Sequence, residues 1–106
     1  MENNQKRLDH YSDLYWDIVD AVYLDDYKVK LWFYDGSIKV VDLEERFFRD
    51  NPGTVFLPLR DKELFATVRL DEDLGTITWE NGADLAPEYL YELGVGIETV
   101  KQQKTS

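Results

Sequence analysis

Thr76-Ile77-Thr78-Trp79-Glu80-Asn81-Gly82-Ala83-Asp84-Leu85-Ala86-Pro87-Glu88-Tyr89-Leu90-Tyr91 spells a short strand, a tight turn, a brief link and the start of a helix. β-Branched and aromatic side chains alternate from Thr76 to Trp79, which suits a pleated strand. Asn81-Gly82 marks the turn, because both residues tolerate positive φ. Pro87 has a fixed φ and no amide hydrogen, so it fits the first position of a helix, with Ala86 a weak N-cap before it. Glu88 then lies in the first turn, where the helix dipole favours negative charge. Leu85, Tyr89, Leu90 and Leu93 share a face, and Gly94 is the natural stop. Two uses of this stretch compete. Trp79, Asn81 and Asp84 could line a polar pocket. Alternatively, Asn81 and Asp84 spend their side chains on neighbouring backbone and lock the last helix onto a sheet. Asn and Asp at turns and caps usually bond local backbone, so the second use is favoured.

Further toward the N-terminus, Trp16 to Leu43 alternates as strand, turn, strand, turn, strand. Tyr34-Asp35-Gly36-Ser37 predicts a two-residue hairpin turn centred on Asp-Gly. That turn sets Phe33 opposite Ile38 and Leu31 opposite Val40. Opposed residues share a face, so Val29, Leu31, Phe33, Ile38 and Val40 form one apolar surface. Lys28, Lys30, Lys39, Trp32 and Tyr34 fall on the other, mixed face, which is partly wet or covered by another element. The first strand, Ile18 to Leu24, turns back through Asp25-Asp26. A strict two-residue loop there places Asp20 opposite Leu31, against the pattern. A bulge or longer loop brings Val19, Ala21 and Tyr23 inward instead. The sequence leaves both registers open.

Asp42-Leu43-Glu44-Glu45 has the form of a capping box, opening a short helix to about Arg49 that turns Leu43, Phe47 and Phe48 toward the sheet. Asn51-Pro52-Gly53 breaks it. Val55, Phe56, Leu57 and Leu59 around Pro58 read as an extended buried crossing. Asp61 caps a second short helix over 62–66, with Leu64 and Phe65 apolar. Thr67 to Asp71 is a strand, and Leu74-Gly75 turns it into the one that ends at Trp79. The expectation is an α+β fold, an antiparallel meander of about five strands with two or three short helices. Residues 16–98 form a single domain. Residues 1–15 are an N-terminal extension whose order the sequence leaves open, and 99–106 are a polar tail.

A chain of 106 residues suits one domain. Twelve basic residues against 22 acidic ones give a net charge of -10. Such a surface repels phosphate, which argues against nucleic-acid binding by this chain alone and against an anionic membrane. A basic protein partner is its charge complement. There is no cysteine, hence no disulfide framework, thiol catalysis or cysteine zinc site. No apolar run reaches the roughly 20 residues of a membrane span, and Met1-Glu2-Asn3-Asn4 begins no secretory signal, which predicts a cytoplasmic protein. Asp71-Glu72-Asp73 is the densest acid cluster. It lacks the spaced ligands and glycine of a calcium loop and reads as a solvated turn. His10 is the only histidine, so any triad or histidine metal site would have to be built around it. No P-loop and no dinucleotide-binding glycine pattern occurs. Arg60, beside Asp61, reads as a surface or cap-stabilising residue. No catalytic, cofactor-binding or metal-ligating residue is therefore assigned. Trp32, Tyr34, Trp79, Asn81 and Asp84 stand as candidate partner or ligand contacts.

The pieces in their order carry a family resemblance. Asp26-Tyr27, Phe33-x-Asp35-Gly36, Val41-Asp42-Leu43, Val55-Phe56-x-Pro58-Leu59-x-Asp61, Leu64-Phe65 and Asp73-x-Gly75-Thr76-Ile77-x-Trp79-x-Asn81-Gly82-Ala83-Asp84-Leu85-Ala86-Pro87-Glu88-x-Leu90-Tyr91 resemble the domain-of-unknown-function 2442 family of small bacterial proteins. The resemblance runs from residue 17 to residue 95 or so, and Glu80 stands where that family usually has proline. It implies an α+β fold and a bacterial origin, and it offers no catalytic residues to carry over. Members are similar to proteins encoded beside small toxin-like partners, and some carry a helix-turn-helix after the domain. Too few residues follow Gly94 for one here, so DNA binding is not expected. The resemblance thus implies a non-enzymatic protein-binding module, an antitoxin-like partner of a small toxin-like protein. The competing expectation is a small-molecule binder or small enzyme around Trp79, Asn81 and Asp84, for which no nucleophile or tuned base is evident. Homo-oligomerisation is left open.

Overall fold

Strands β1 (Ile18–Asp25), β2 (Lys28–Phe33) and β3 (Ile38–Asp42) form an antiparallel meander in a computed structural model that describes residues 14–97. Most of the N-terminal extension, including His10, and the tail from 99 lie outside the described residues. β4 (Arg69–Asp71) and β5 (Thr76–Thr78) make a separate antiparallel pair. β6 (Val95–Gly96) closes the other edge of the meander, giving a four-stranded sheet in the order β1-β2-β3-β6. Helices α1 (Glu44–Phe48), α2 (Lys62–Phe65) and α3 (Pro87–Leu93) and two 3-10 segments, Leu14–Trp16 and Thr54–Arg60, connect these strands. The α+β architecture expected from the sequence is the one observed.

The β2–β3 turn is one residue longer than its Asp-Gly centre predicts. Phe33 donates its amide to the Ser37 carbonyl (2.9 Å), Gly36 donates to the Phe33 carbonyl (2.9 Å), and Gly36 has φ +92. This is a three-residue hairpin loop with glycine in the left-handed position. Trp32 therefore pairs with Ile38 and Leu31 with Lys39. A one-residue slip moves every side chain of a strand to the opposite face. Val41 enters the core in place of Val40 and Ile38, and Lys39 crosses to the inner face, where its Nζ donates to the Tyr91 carbonyl at 2.7 Å. In the first hairpin the bulged alternative holds. Register shifts fall between Ile18 and Asp20 and between Tyr23 and Asp25, so Ala21 faces Leu31 and Tyr23 faces Val29. Val19 sits at the first shift and stays exposed, and Ile18 is the buried residue instead.

Two further expectations are corrected. Residues 54–60 are a 3-10 segment, not an extended crossing, and of the expected buried residues only Leu59 is enclosed, while Val55 and Leu57 are exposed. Asn51 (φ 55) and Gly53 (φ 107) turn the chain too sharply for an extended path. The capping box does not form, since Leu43 takes the cap position and offers no side-chain acceptor. Asp42 Oδ1 accepts from the Glu44 amide at 3.0 Å, but Glu45 pairs with Arg49 at 3.1 Å and does not reach back. Asp61 caps α2 as expected, accepting from the Glu63 amide at 3.0 Å. Pro87 opens α3, and the helix stops at Gly94, where ψ turns extended and glycine is required on steric grounds. Its φ is ordinary, but a Cβ there would lie 2.8 Å from the Lys39 Cβ.

One core joins both sheets. Val29, Leu31, Phe33 and Val41 on the inner face pack with Phe47 of α1, Leu59, Phe65 of α2, Ile77 of β5, Trp79 and Leu90 of α3. Burying each large apolar side chain contributes about 1.5–3 kcal/mol. Phe65 and Trp79 sit at the centre, with ring centroids 5.6 Å apart.

Candidate functional site

Trp79, Asn81 and Asp84 belong to the turn after β5. Trp79 donates its amide to the Ala83 carbonyl (3.0 Å), Gly82 donates to the Trp79 carbonyl (2.9 Å), and Gly82 has φ +89. The Trp79 side chain is fully enclosed, and its indole N–H donates to the Phe65 carbonyl at 3.0 Å. Asn81 Oδ1 accepts from the Ala83 amide (3.2 Å), and its Nδ2 donates to the Val55 carbonyl (3.0 Å). Asp84 bridges Thr78 through the backbone, and its side chain is exposed. These three residues are held together in one turn. Trp79 offers no surface, and Asn81 has both ends of its amide engaged on backbone.

Trp32 and Tyr34 lie elsewhere. Trp32 is half-buried on the outer face of the four-stranded sheet, in a row with Asp20 and Ile38. The next row is Val22, Lys30, Val40 and Val95, and the one after pairs Lys28 with Asp42. Val22 and Val95 are exposed, and the helices send their buried side chains to the inner core. Lys30 folds over the Trp32 ring, its Nζ 5.0 Å from the centroid. Tyr34 stands in the turn beyond β2 and is 62% exposed, so its ring is free to meet a partner.

A cleft of about 340 Å³ opens where β1 meets the β4–β5 hairpin. Asp17, Ile18, Val19, Tyr34, Leu70, Glu72 and Gly75 line it. Ile18 donates its amide to the Gly75 carbonyl (2.9 Å) and Tyr34 donates to the Asp17 carbonyl (2.8 Å), which fixes both walls. Nothing in the sequence joined these residues, because the β4–β5 hairpin reaches β1 only through tertiary packing.

The remaining polar groups are mostly structural. Asp71 Oδ1 accepts from the Asp73 and Leu74 amides (3.0 and 3.2 Å), so this part of the acid cluster holds a turn. Arg60 Nε donates to the Phe47 carbonyl (2.7 Å) and Nη2 to the Arg49 carbonyl (3.2 Å), closing the end of α1. Tyr91 donates its hydroxyl to Asp35 Oδ2 at 2.6 Å. Partial desolvation pushes the Asp35 carboxyl up, but the bonds from Tyr91 and Ser37 and the nearby Lys39 together hold it below the usual carboxylate range. The same bond to Asp35 raises the Tyr91 hydroxyl. Lys62 bonds Asp26 at 3.0 Å, lowering the Asp26 carboxyl and raising Lys62; both are exposed and solvent-screened. Among the described residues no three His, Asp or Glu side chains converge as a metal site, and no helix is long and apolar enough to cross a membrane.

These features define a small α+β protein in which, among the described residues, one apolar core joins both sheets and no helix covers the outer face of the four-stranded sheet. Residues 18–96 match the family model described as Protein of unknown function (DUF2442), and the chain belongs to that family. No curated protein and no solved structure matches it significantly.

Proposed function

We propose that the chain is a non-enzymatic protein-binding module, the acidic, antitoxin-like partner of a small basic toxin-like protein encoded beside it. The open outer face of the four-stranded sheet is the observation that supports this. Trp32, Ile38, Val40, Val22 and Val95 supply apolar surface around Lys30, which folds over the Trp32 ring, and Asp20, Asp25, Lys28 and Asp42 border it. A mixed aromatic, aliphatic and charged face resembles a non-obligate protein interface, and tryptophan is frequent among the side chains that dominate binding energy. The net charge of -10 accelerates encounter with a basic partner and disfavours acidic ones.

The test is co-expression with each neighbouring gene product, followed by purification on a tag carried by the neighbour. A small basic neighbour should retain the wild-type chain, and Trp32→Ala should weaken that complex by at least about tenfold, as loss of a central aromatic contact does. Circular dichroism checks that the variant is folded. Recovery of the chain alone, with no neighbour able to hold it, overturns the proposal.

A further inference from the structure

We infer that the cleft between β1 and the β4–β5 hairpin receives an arginine side chain of that protein partner; the source of the arginine rests on the binding role proposed above. Val19 and Leu70 supply apolar surface for a methylene stem, Ile18 lies buried beneath them, and Tyr34, largely exposed, belongs to the same lining. Asp17 and Glu72 place two carboxylates in the same lining. Neither side chain has a hydrogen-bond or ion-pair partner among the described residues, whereas Asp25, Asp26 and Glu45 each have a cation. Gly75 supplies the φ of +70 that the hairpin needs at the edge of the cleft, and its backbone lies against the Asp17 carboxylate. The two backbone bonds from Ile18 and Tyr34 fix the walls before anything binds, so little ordering cost falls on complex formation.

The lining selects among cations. A bare metal ion needs more oxygen ligands than two carboxylates provide. A lysine ammonium is strongly hydrated and gains less from an aromatic wall. A guanidinium stacks on an aromatic face while its planar fork bonds carboxylates, and its stem covers apolar surface. Val19 also precedes Asp20, which borders the outer face, so a partner lying on that face passes the rim of the cleft.

The experiment titrates the full ¹⁵N-labelled chain with N-acetyl-arginine amide and, separately, with N-acetyl-lysine amide. Arginine should give saturable shifts centred on the amides of Val19, Tyr34, Leu70 and Gly75, and bind more tightly than lysine. The paired change Asp17→Asn with Glu72→Gln should weaken arginine binding by about fivefold, and Tyr34→Ala by about threefold. Glu92→Gln, an exposed charge away from the cleft, should leave it unchanged. Amide shifts elsewhere report whether each variant is folded. Shifts scattered over the acidic surface, equal binding of lysine, or indifference to the paired change each overturn the inference. A neighbour complex weakened by Trp32→Ala but untouched by the paired change overturns the cleft assignment and leaves the proposed function standing. Arginine held in the cleft with no neighbour bound overturns the proposed function and leaves the guanidinium site.

Discussion

Phe33-Tyr34-Asp35-Gly36-Ser37 and Trp79-Glu80-Asn81-Gly82-Ala83 are two copies of one turn in different surroundings. In each, an aromatic residue exchanges backbone bonds across a three-residue loop, and a glycine sits at positive φ. In each, an Asp or Asn Oδ1 accepts from the amide two residues on, at 2.8 Å for Asp35 and 3.2 Å for Asn81. The aromatic residue that opens the loop is buried both times. The turns part company in what holds them from outside. The first is clipped by backbone to Asp17 and Tyr15 and by the Tyr91 hydroxyl, and it leaves Tyr34 in solvent. The second is held by Val55, by the Thr67 hydroxyl on the Glu80 amide, and by the Trp79 indole on Phe65. Local chemistry sets loop length, and loop length sets register. Tertiary packing decides whether the neighbouring side chains face the core or a partner.

The largest break in this comparison comes from the aromatic residue. Trp79→Ala should cost about 3–5 kcal/mol, because it empties the centre of the core and leaves the Phe65 carbonyl with the Val68 amide as its remaining donor. A urea midpoint shift with unchanged slope reads that loss. Next come the glycines. A Cβ at Gly36 or Gly82 meets nothing within 4 Å, so only the backbone conformation counts. Gly36→Ala and Gly82→Ala should each cost about 1–2 kcal/mol, and by the same amount. Clearly unequal losses by thermal unfolding would show that the two loops are not equivalent. Smaller again is Asn81→Ala, at about 1 kcal/mol, for the bonds to Val55 and Ala83. Asn81→Asp sharpens it, since an Oδ remains for Ala83 while the donor to Val55 is lost.

The same two turns show how far the sequence can be read. Asn81-Gly82 and Asp35-Gly36 announced both hairpins, and Pro87 and Asp61 announced two helix starts, because turn and cap chemistry is written in single residues. The length of the Asp35-Gly36 loop was not legible. An Asp-Gly pair serves a two-residue loop and a three-residue loop alike, and the difference moved Val41 inward and Val40 outward. Phe48, Val55 and Leu57 are apolar residues that the fold leaves exposed, and a hydrophobicity pattern has no signal for that. Arg60 was legible as cap-stabilising, though not that its cap is the end of α1, more than ten residues back. Of the candidate contacts, Trp32 and Tyr34 are accessible, whereas Trp79 is enclosed. The Asp17–Glu72 cleft could not be found from spacing, since its two walls are distant in the chain.

The smallest effect lies in the clip on the first turn. Tyr91→Phe removes only the hydroxyl that bonds Asp35, and the Lys39 bond to the Tyr91 carbonyl survives it. Asp35 is depressed in the folded protein, so its contribution is present above the ordinary carboxylate value and is lost as pH falls through its own lower pKa. Tyr91 is raised, so its contribution is full below the ordinary tyrosine value and is lost as pH rises through its higher pKa. The bond is therefore complete across the neutral range and vanishes at both ends, for opposite reasons. Stability curves of wild type and Tyr91→Phe should run apart between those limits and converge beyond them, measured by urea unfolding at a series of pH values. The second turn has no titrating group in its loop bonds, since Asn81 takes the place of Asp35. Asn81→Ala should accordingly separate from wild type by the same amount throughout. A pH-dependent gap for Asn81→Ala, or a pH-independent one for Tyr91→Phe, would mean that the charge on Asp35 is not what distinguishes the two turns.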